Sequence, residues 1–398
     1  MTTTTQSTLS SAIQTKFERR LKEKAKGRGV LEKFAKIRTV AKGEGKTVRL
    51  NQILRLDKVT SAHTEGATIS SPKAFTSDYR EATVTQYADA VEFSDLAKLN
   101  SIVSDDDFMS EVADQVVRSR EYYLHKLLAQ GGLRHRVDND STYEVNGTAD
   151  SGTTTTLVDD ALTQADNFFG TDTSNFGFVT IVNPGAPNYD MTSKVTDFVA
   201  SSDTATVSFP QAISSSCKYH MVIPTGIVST DKLTIAAITR VAGLLELLQA
   251  KKFNGGIFRA VIHPGQHADL YSDTTYQNIM IYDKSEAIGD YTLFRLLNFE
   301  HLVSDEIYRE DEDGSENQST GVSHVAQYFG ADAYSFIKWG ADGDTFGVNT
   351  FIINQPDSGN LVNSKSWFSW KCSFAGLVDR ATNIVGLMTG ATAQPVVV

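Results

Sequence analysis

Cysteine is almost absent from the 398-residue chain: Cys217 and Cys372 are the only two, far apart and without CxxC spacing. That argues against a disulfide scaffold or a cysteine-rich zinc module and suits a reducing cytosol, with both thiols expected in the interior. Long hydrophobic runs are also lacking. The opening MTTTTQSTLSSAIQTKF has no apolar h-region, so export is not expected. The most apolar stretch, LTIAAITRVAGLLELL, is too short to span a bilayer and carries Arg240 and Glu246, so no membrane partner is expected either. There is no GxSxG elbow and no cysteine placed with histidine partners. No carboxylate pair can be singled out from the 48 acidic residues.

Three segments come close to a chemical motif and fail. His263 and His267 in FRAVIHPGQHADL have the four-residue spacing by which a zinc hydrolase aims two imidazoles from one helical face. Pro264 disfavours the helical region for His263, so the rings are not expected to share a face. AKGEGKT ends in Gly45-Lys46-Thr47 like a phosphate-binding loop, but the required first glycine falls on Val40 and no apolar strand precedes it. YREDEDGSENQST places Asp311, Asp313 and Gly314 as in a calcium loop, yet its first ligand position is Arg309 and its twelfth Thr320. An exposed acidic turn is expected there. The chain reads as a non-enzyme without cofactor or metal.

What is present is enough for a large core, with 40% hydrophobic and 21% charged residues, and the length suggests two or three domains or subdomains. Charge is uneven: residues 1–60 carry 15 Lys and Arg against 5 Asp and Glu, so the remainder must hold −21 to reach the total of −11. A basic, aromatic-poor, glycine-interrupted arm (residues 1–46) precedes an acidic body and suits a neighbouring subunit or a polyanion better than an independent fold.

TVRLNQILRLD (47–57) and EATVTQYADAVEFSD (81–95) alternate like strands around a long polar connection, an extended hairpin over 47–95. Such a two-stranded arm would take its stability from another chain. Residues 104–132 form the clearest helix. Ser104 is its expected cap, Asp105 to Asp107 complement its dipole, and Gly131-Gly132 stop it. Met109, Val112, Ala113, Val116, Val117, Leu124, Leu127 and Leu128 make one apolar stripe. Residues 136–225 change to Thr, Ser, Asp and Gly with short apolar runs, a β-rich insertion. A capped apolar helix ending at Gly255-Gly256 follows, then the buried strand IFRAVIHP and a helix opening at GQHADL. In SWFSWKCSFAGLV, Phe368, Trp370, Cys372 and Phe374 alternate with polar residues, the mark of a closing strand.

The order of these parts, with YADAVEFSDLAKL, AVIHPGQHADL, HVAQYFGADAY and SFAGLVDRATNIVGLMTGA as its most recognisable phrases, resembles tailed-phage major capsid proteins of the Hong Kong 97 fold. Within that group it resembles coat proteins of Schitoviridae-type podophages. The resemblance implies an α+β fold with six parts. These are an N-terminal arm (1–46), an extended loop (47–95), a peripheral domain with a spine helix (96–135), the insertion (136–225), an axial domain (226–350) and C-terminal strands returning to the peripheral domain (351–398). It implies self-assembly into pentamers and hexamers of a closed icosahedral shell around double-stranded DNA, in the virion and built in the host cytoplasm. Portal, scaffolding and decoration proteins are further implied partners, and DNA contact would be non-specific. Residues from Lys16 to Arg55 are expected to touch neighbouring subunits. The candidate contacts are Arg19, Arg20, Lys36, Arg38, Arg55, Lys58, Lys73, Arg80 and Glu81. The alternatives are another self-assembling protein, a tail-tube or surface-layer subunit, and a metal-dependent hydrolase built on His263 and His267.

Overall fold

The computed structural model describes residues 29–40, 45–53, 63, 65, 68, 77–94, 105–170, 177–283, 293–311, 315–318, 321–339, 348–353 and 365–391. They divide into two compact units, drawn in one case from 1–48, 82–124 and 335–377, in the other from 49–81, 125–334 and 378–398.

The first unit is built on a five-stranded sheet. Its longest strand, Lys365–Val378, pairs antiparallel with Thr85–Ser94, Phe374 opposite Thr85, and antiparallel with Val348–Ile353, Cys372 opposite Val348. Tyr334–Trp339 carries the outer strand Lys36–Val40 in parallel, Lys36 facing Ser335. The alternation of the closing segment is realised, with Trp370, Cys372 and Phe374 buried and Ser369, Lys371 and Ser373 half-buried. Helix α1 (Asp105–Gly131) contains no proline and no internal glycine, and at 1.5 Å per residue its 27 residues extend about 40 Å. In its portion up to Leu124, Val112, Ala113, Val116, Val117 and Leu124 are buried. Tyr123 meets Phe374 edge-on at 5.1 Å, and Gln115 Oε1 accepts from the Trp370 indole at 3.3 Å.

The second unit contains a mixed seven-stranded sheet in the order Leu293–Leu296, Phe299–Val303, Phe258–Ile262, Ser323–Phe329, Ile384–Gly390, Leu133–Arg136, with Arg309–Glu310 also on Ser323–Phe329. Every residue of Ser323–Phe329 and Ile384–Gly390 is buried, as expected for central strands covered on both faces. Closeness of backbones is enforced at Gly390, where a Cβ would lie 2.0 Å from the Val228 carbonyl oxygen. Helix α2 (Ile235–Leu247) is capped by the Thr234 hydroxyl and sets Ile235, Ile238, Val241 and Leu245 against the sheet. It ends well before the glycines expected to stop it. Gln249 takes the left-handed conformation (φ 57°), and Ala250 N–H bonds back to Leu245 O at 2.9 Å, while Gly255 and Gly256 form the turn into the next strand. Helices α3 (Pro264–Ser272) and α4 (Thr274–Asp283) follow that strand.

Residues 144–222 supply two four-stranded sheets, 192–194/178–181/218–222/144–148 and 197–199/204–206/156–158/151–152. Both line one core that includes Leu157, Phe169, Ile181, Phe198, Met221 and Ile223. The segment read as a β-rich insertion is thus strand-built with its own hydrophobic interior.

Three placements differ from the sequence reading. The partner of Thr47–Ile53 is Ser77–Thr83 rather than the segment beginning at Glu81, and Thr85–Ser94 leaves the hairpin for the five-stranded sheet. The final strands also part company, Lys365–Val378 in one sheet and Ile384–Gly390 in the other. Tyr334–Trp339, placed by sequence with the axial domain, and Val348–Ile353, which straddles the expected boundary at 350, both belong to the five-stranded sheet. Alternation identifies a strand but not its partner, which long-range contacts decide.

Candidate functional site

The hairpin Thr47–Ile53/Ser77–Thr83 runs antiparallel, with Thr47 Oγ1 3.2 Å from Thr83 Oγ1 and Arg49 Nε donating to Glu81 Oε1 at 2.6 Å. Thr47–Ile53 has no buried residue, and Ile53 is 68% exposed. The returning strand behaves differently: Asp78 and Arg80 are buried. Asp78 accepts from the Asn188 amide at 3.0 Å and from Gln211 Nε2 at 2.8 Å. Arg80 donates to the carbonyl oxygens of Val378 (3.0 Å), Asp379, Tyr189 (3.3 Å) and Asp190 (2.7 Å). Burial pulls its pKa below the usual arginine value, opposed by the nearby carboxylates of Asp190, Asp379 and Asp78. Arg80, a candidate contact to another subunit, therefore directs its guanidinium at four carbonyls of its own chain. Glu81 pairs with Arg49 on the exposed hairpin surface.

Of the remaining candidate contacts, Lys36 is exposed and Arg38 half-buried on the outer strand, where Arg38 Nε donates to Ser335 Oγ at 2.8 Å. Arg19, Arg20, Arg55, Lys58 and Lys73 lie outside the described residues, as does the expected cap Ser104. The described root of the arm is fixed by α1: Glu121 Oε1 accepts the amides of Val30 (3.0 Å) and Leu31 (2.7 Å). Leu31 is fully buried. Burial pushes the Glu121 carboxyl up to about 7 against the pull of those amides.

The two histidines of FRAVIHPGQHADL take separate jobs. His263 is the N-cap of α3 with extended backbone (φ −75°, ψ 149°), as Pro264 requires. Its amide donates to Gln266 Oε1 at 2.8 Å, while Gln266 Nε2 reaches Thr389 Oγ1 at 2.7 Å. Its ring nitrogens face the Gly265 amide (3.0 Å) and Arg309 Nη2 (2.7 Å), two donors for the single acceptor of a neutral imidazole. Burial first, then His324 and Arg309, hold its pKa down to about 2. His267 is buried a turn further on, its ring 5.0 Å from Tyr271. No helical face presents both imidazoles to an ion.

Gly45, Lys46 and Thr47 run into a strand, whereas a phosphate loop opens a helix. In the acidic segment the expected exposure is only partial. Asp311 accepts from Asn317 Nδ2, and Glu310 is fully buried, gripping Arg134 Nη1 through both oxygens at 2.9 and 3.0 Å. Asp313, Gly314 and Thr320 lie outside the described residues. Both cysteines are buried free thiols, and burial raises the Cys372 thiol to about 11.

One group of side chains with metal-ligand chemistry does converge among the described residues: His135, Glu144 and His220, with ligand atoms all within 4.8 Å. The three residues lie on three different strands, and no spacing in the sequence links them.

Taken together, the geometry defines an α+β chain whose buried charges hold its own strands and turns in place, with a two-stranded hairpin in which Thr47–Ile53 has no buried residue. No family model matches the chain, and no curated protein matches it. Solved structures do. The chain is similar to the protein in the capsid structure of cyanophage P-SCSP1u, with TM-score 0.51, 11% identity, and 91% of this chain and 88% of that chain covered. It is similar to the capsid asymmetric unit of cyanophage Pam1, with TM-score 0.51, 9% identity, and 90% and 89% covered. At these identities the likeness is one of fold: the chain has the mixed α+β fold of those phage capsid proteins.

Proposed function

We propose that the chain is the major capsid protein of a tailed bacteriophage, of the Hong Kong 97 type and akin to Schitoviridae-type podophage coat proteins. It assembles as pentamers and hexamers into an icosahedral shell enclosing double-stranded DNA. The observation that carries this reading is the fold likeness to two phage capsid proteins over nine-tenths of the chain and nearly as much of theirs. The strand Thr47–Ile53 supports it, since it has no buried residue and leaves Ile53 68% exposed for a neighbouring copy to cover.

In this reading residues 47–95 hold the extended loop, α1 is the spine helix of the peripheral domain, and the seven-stranded sheet with α2 to α4 is the axial domain. The β-rich segment is an insertion between them. Subunit contacts are assigned to the basic positions outside Arg80, namely Arg19, Arg20, Lys36, Arg38, Arg55, Lys58 and Lys73. Complementary charge between a basic arm and an acidic body steers assembly. Modest interfaces repeated around a closed shell accumulate into high stability. The shell is not a catalyst. Portal, scaffolding and decoration proteins and non-specifically held DNA are its remaining partners, and host cytoplasm is where it assembles.

Sedimentation and negative-stain imaging of the expressed chain test this, with closed shells as the expected outcome and tubes or flat lattices as the refutation. Replacing residues 58–74 by a short linker spares Asp78 and Arg80, so it is expected to leave a folded subunit that closes no shells. Normal shells from that variant would remove the extended-loop assignment.

A further inference from the structure

We propose that His135, Glu144 and His220 form a binding site for one divalent transition-metal ion of the zinc class, which fastens the β-rich segment to the seven-stranded sheet. His135 lies on Leu133–Arg136, the outer strand of the seven-stranded sheet, whereas Glu144 and His220 lie on the paired strands Glu144–Thr148 and Lys218–Val222. Glu144 Oε1 is 2.6 Å from His135 Nδ1 and 3.7 Å from His220 Nε2, and the two rings are 4.5 Å apart. The three side chains are 10%, 9% and 4% exposed.

The hydrogen-bond inventory points to a missing positive group. His220 faces oxygen at both nitrogens: Nδ1 is 2.8 Å from Asn146 Oδ1 and Nε2 is 2.8 Å from the Arg134 carbonyl oxygen. A neutral imidazole has one N–H to give. An ion at Nε2 resolves the conflict. The ring proton then sits on Nδ1 and donates to Asn146, the outer contact that usually orients a ligating histidine. Without an ion His135 Nδ1 donates to Glu144 Oε1 at 2.6 Å, so ion binding at Nδ1 must displace that proton, and His135 Nε2, buried without a hydrogen-bond partner, is the nitrogen left to carry it.

Charge allows a cation despite the flanking arginines. Arg134 is neutralised by Glu310, and Arg136 by Asp138 together with the carbonyls of Ile223 and Thr225. Neither guanidinium bonds to Glu144, whose Oε2 receives the Arg136 backbone amide at 3.1 Å and whose Oε1 receives His135 Nδ1. Two imidazoles and a carboxylate are a ligand set that zinc takes with a fourth position open, and nitrogen donors disfavour magnesium and calcium. With bonds of about 2.0–2.1 Å, a tetrahedral ion needs ligand atoms roughly 3.3 Å apart. The 2.6 Å His135–Glu144 contact must open slightly, by rotation of the Glu144 side chain.

The test uses the full chain, stripped with a chelator and titrated with zinc. Equilibrium dialysis with elemental analysis measures stoichiometry, cobalt(II) serves as an absorbing probe, and thermal unfolding reads the linkage. One ion per chain is expected, with a higher melting temperature in zinc but not in magnesium and with visible cobalt bands of a low-coordinate site. Glu144→Gln keeps the shape and the Arg136 amide contact and is expected to lose the ion, as is His220→Ala. Wild-type protein that takes up no zinc overturns the proposal, and is the outcome if the Asn146 amide turns its nitrogen toward the ring and closes the network by itself. Uptake unchanged in both folded variants overturns it equally.

Discussion

Replacing Arg80 by alanine separates two meanings of one residue. If its role is internal, Arg80→Ala deletes donors from the carbonyls of Val378, Asp379, Tyr189 and Asp190, in a place where water cannot readily substitute because the residue is only 8% exposed. Hydrogen bonds to a charged donor contribute roughly 1.5–3 kcal/mol each, and such values do not add within one network. The combined loss is therefore set at about 4 kcal/mol, near the cost of breaking a buried ion pair. At about 2–4 °C per kcal/mol for a unit of this size, the melting temperature of the unassembled subunit falls by roughly 10 °C. Arg49→Ala is the matched control. Its pair with Glu81 is exposed, with side chains at 56% and 40%, and stacks on the Tyr79 ring at 4.2 Å, so the loss stays below about 1 kcal/mol. Urea titration of dissociated subunits by circular dichroism measures both. An Arg80→Ala subunit as stable as wild type, yet unable to assemble, would refute the internal role and return Arg80 to the subunit interface.

Further outcomes concern pH and the arm root. Burial holds His125 to about 4 although Gln327 bonds it at 2.9 Å. The unfolded chain therefore takes up this proton first as pH falls, and stability complete above about 6.5 is lost toward pH 4, roughly 3 kcal/mol from this group. His220, His263 and His324 act with the same sign, so His125→Asn is expected to reduce, not abolish, the acid slope of urea stability. Glu121 has the opposite linkage: its folded carboxyl sits at about 7, so its ionised form costs stability as pH rises from about 4.5 to 7. At pH 8, Glu121→Gln should equal or exceed wild type, whereas Glu121→Ala should lose roughly 1–3 kcal/mol by stranding the Val30 and Leu31 amides, measured by their hydrogen exchange.

Periodic features were legible because they are local. The stripe from Val112 to Leu128 announces α1, the apolar Phe258, Ala260, Val261 and Ile262 announce a largely buried strand, and Pro264 alone forces His263 to be a cap. The alternation of Trp370, Cys372 and Phe374 was equally readable. Pairing was not. Lys36–Val40 lies beside Tyr334–Trp339, and nothing in either segment names the other. The end of α2 was misread for a different reason: a left-handed Gln249 did what glycine was expected to do. Buried charge was the least legible. Arg134, Glu310, Asp78 and Arg80 look like surface residues in sequence, and only the fold shows that each has a partner.

Those buried charges gather where the β-rich segment joins the seven-stranded sheet. Arg134 on the outer sheet strand holds Glu310 and lies 3.7 Å over the Phe178 ring, Arg136 takes the carbonyls of Ile223 and Thr225, and His220 reaches back to the Arg134 carbonyl. An apolar junction of equal area would hold the segment as firmly, since buried ion pairs add little net stability over well-packed hydrophobic groups. Hydrogen bonds and bidentate pairs, unlike apolar contact, accept only one geometry. The segment already has its own hydrophobic interior. The polar junction is therefore best understood as fixing its orientation, and in the proposed shell, built from many copies of one chain, an error in that angle would be repeated at every contact the segment makes.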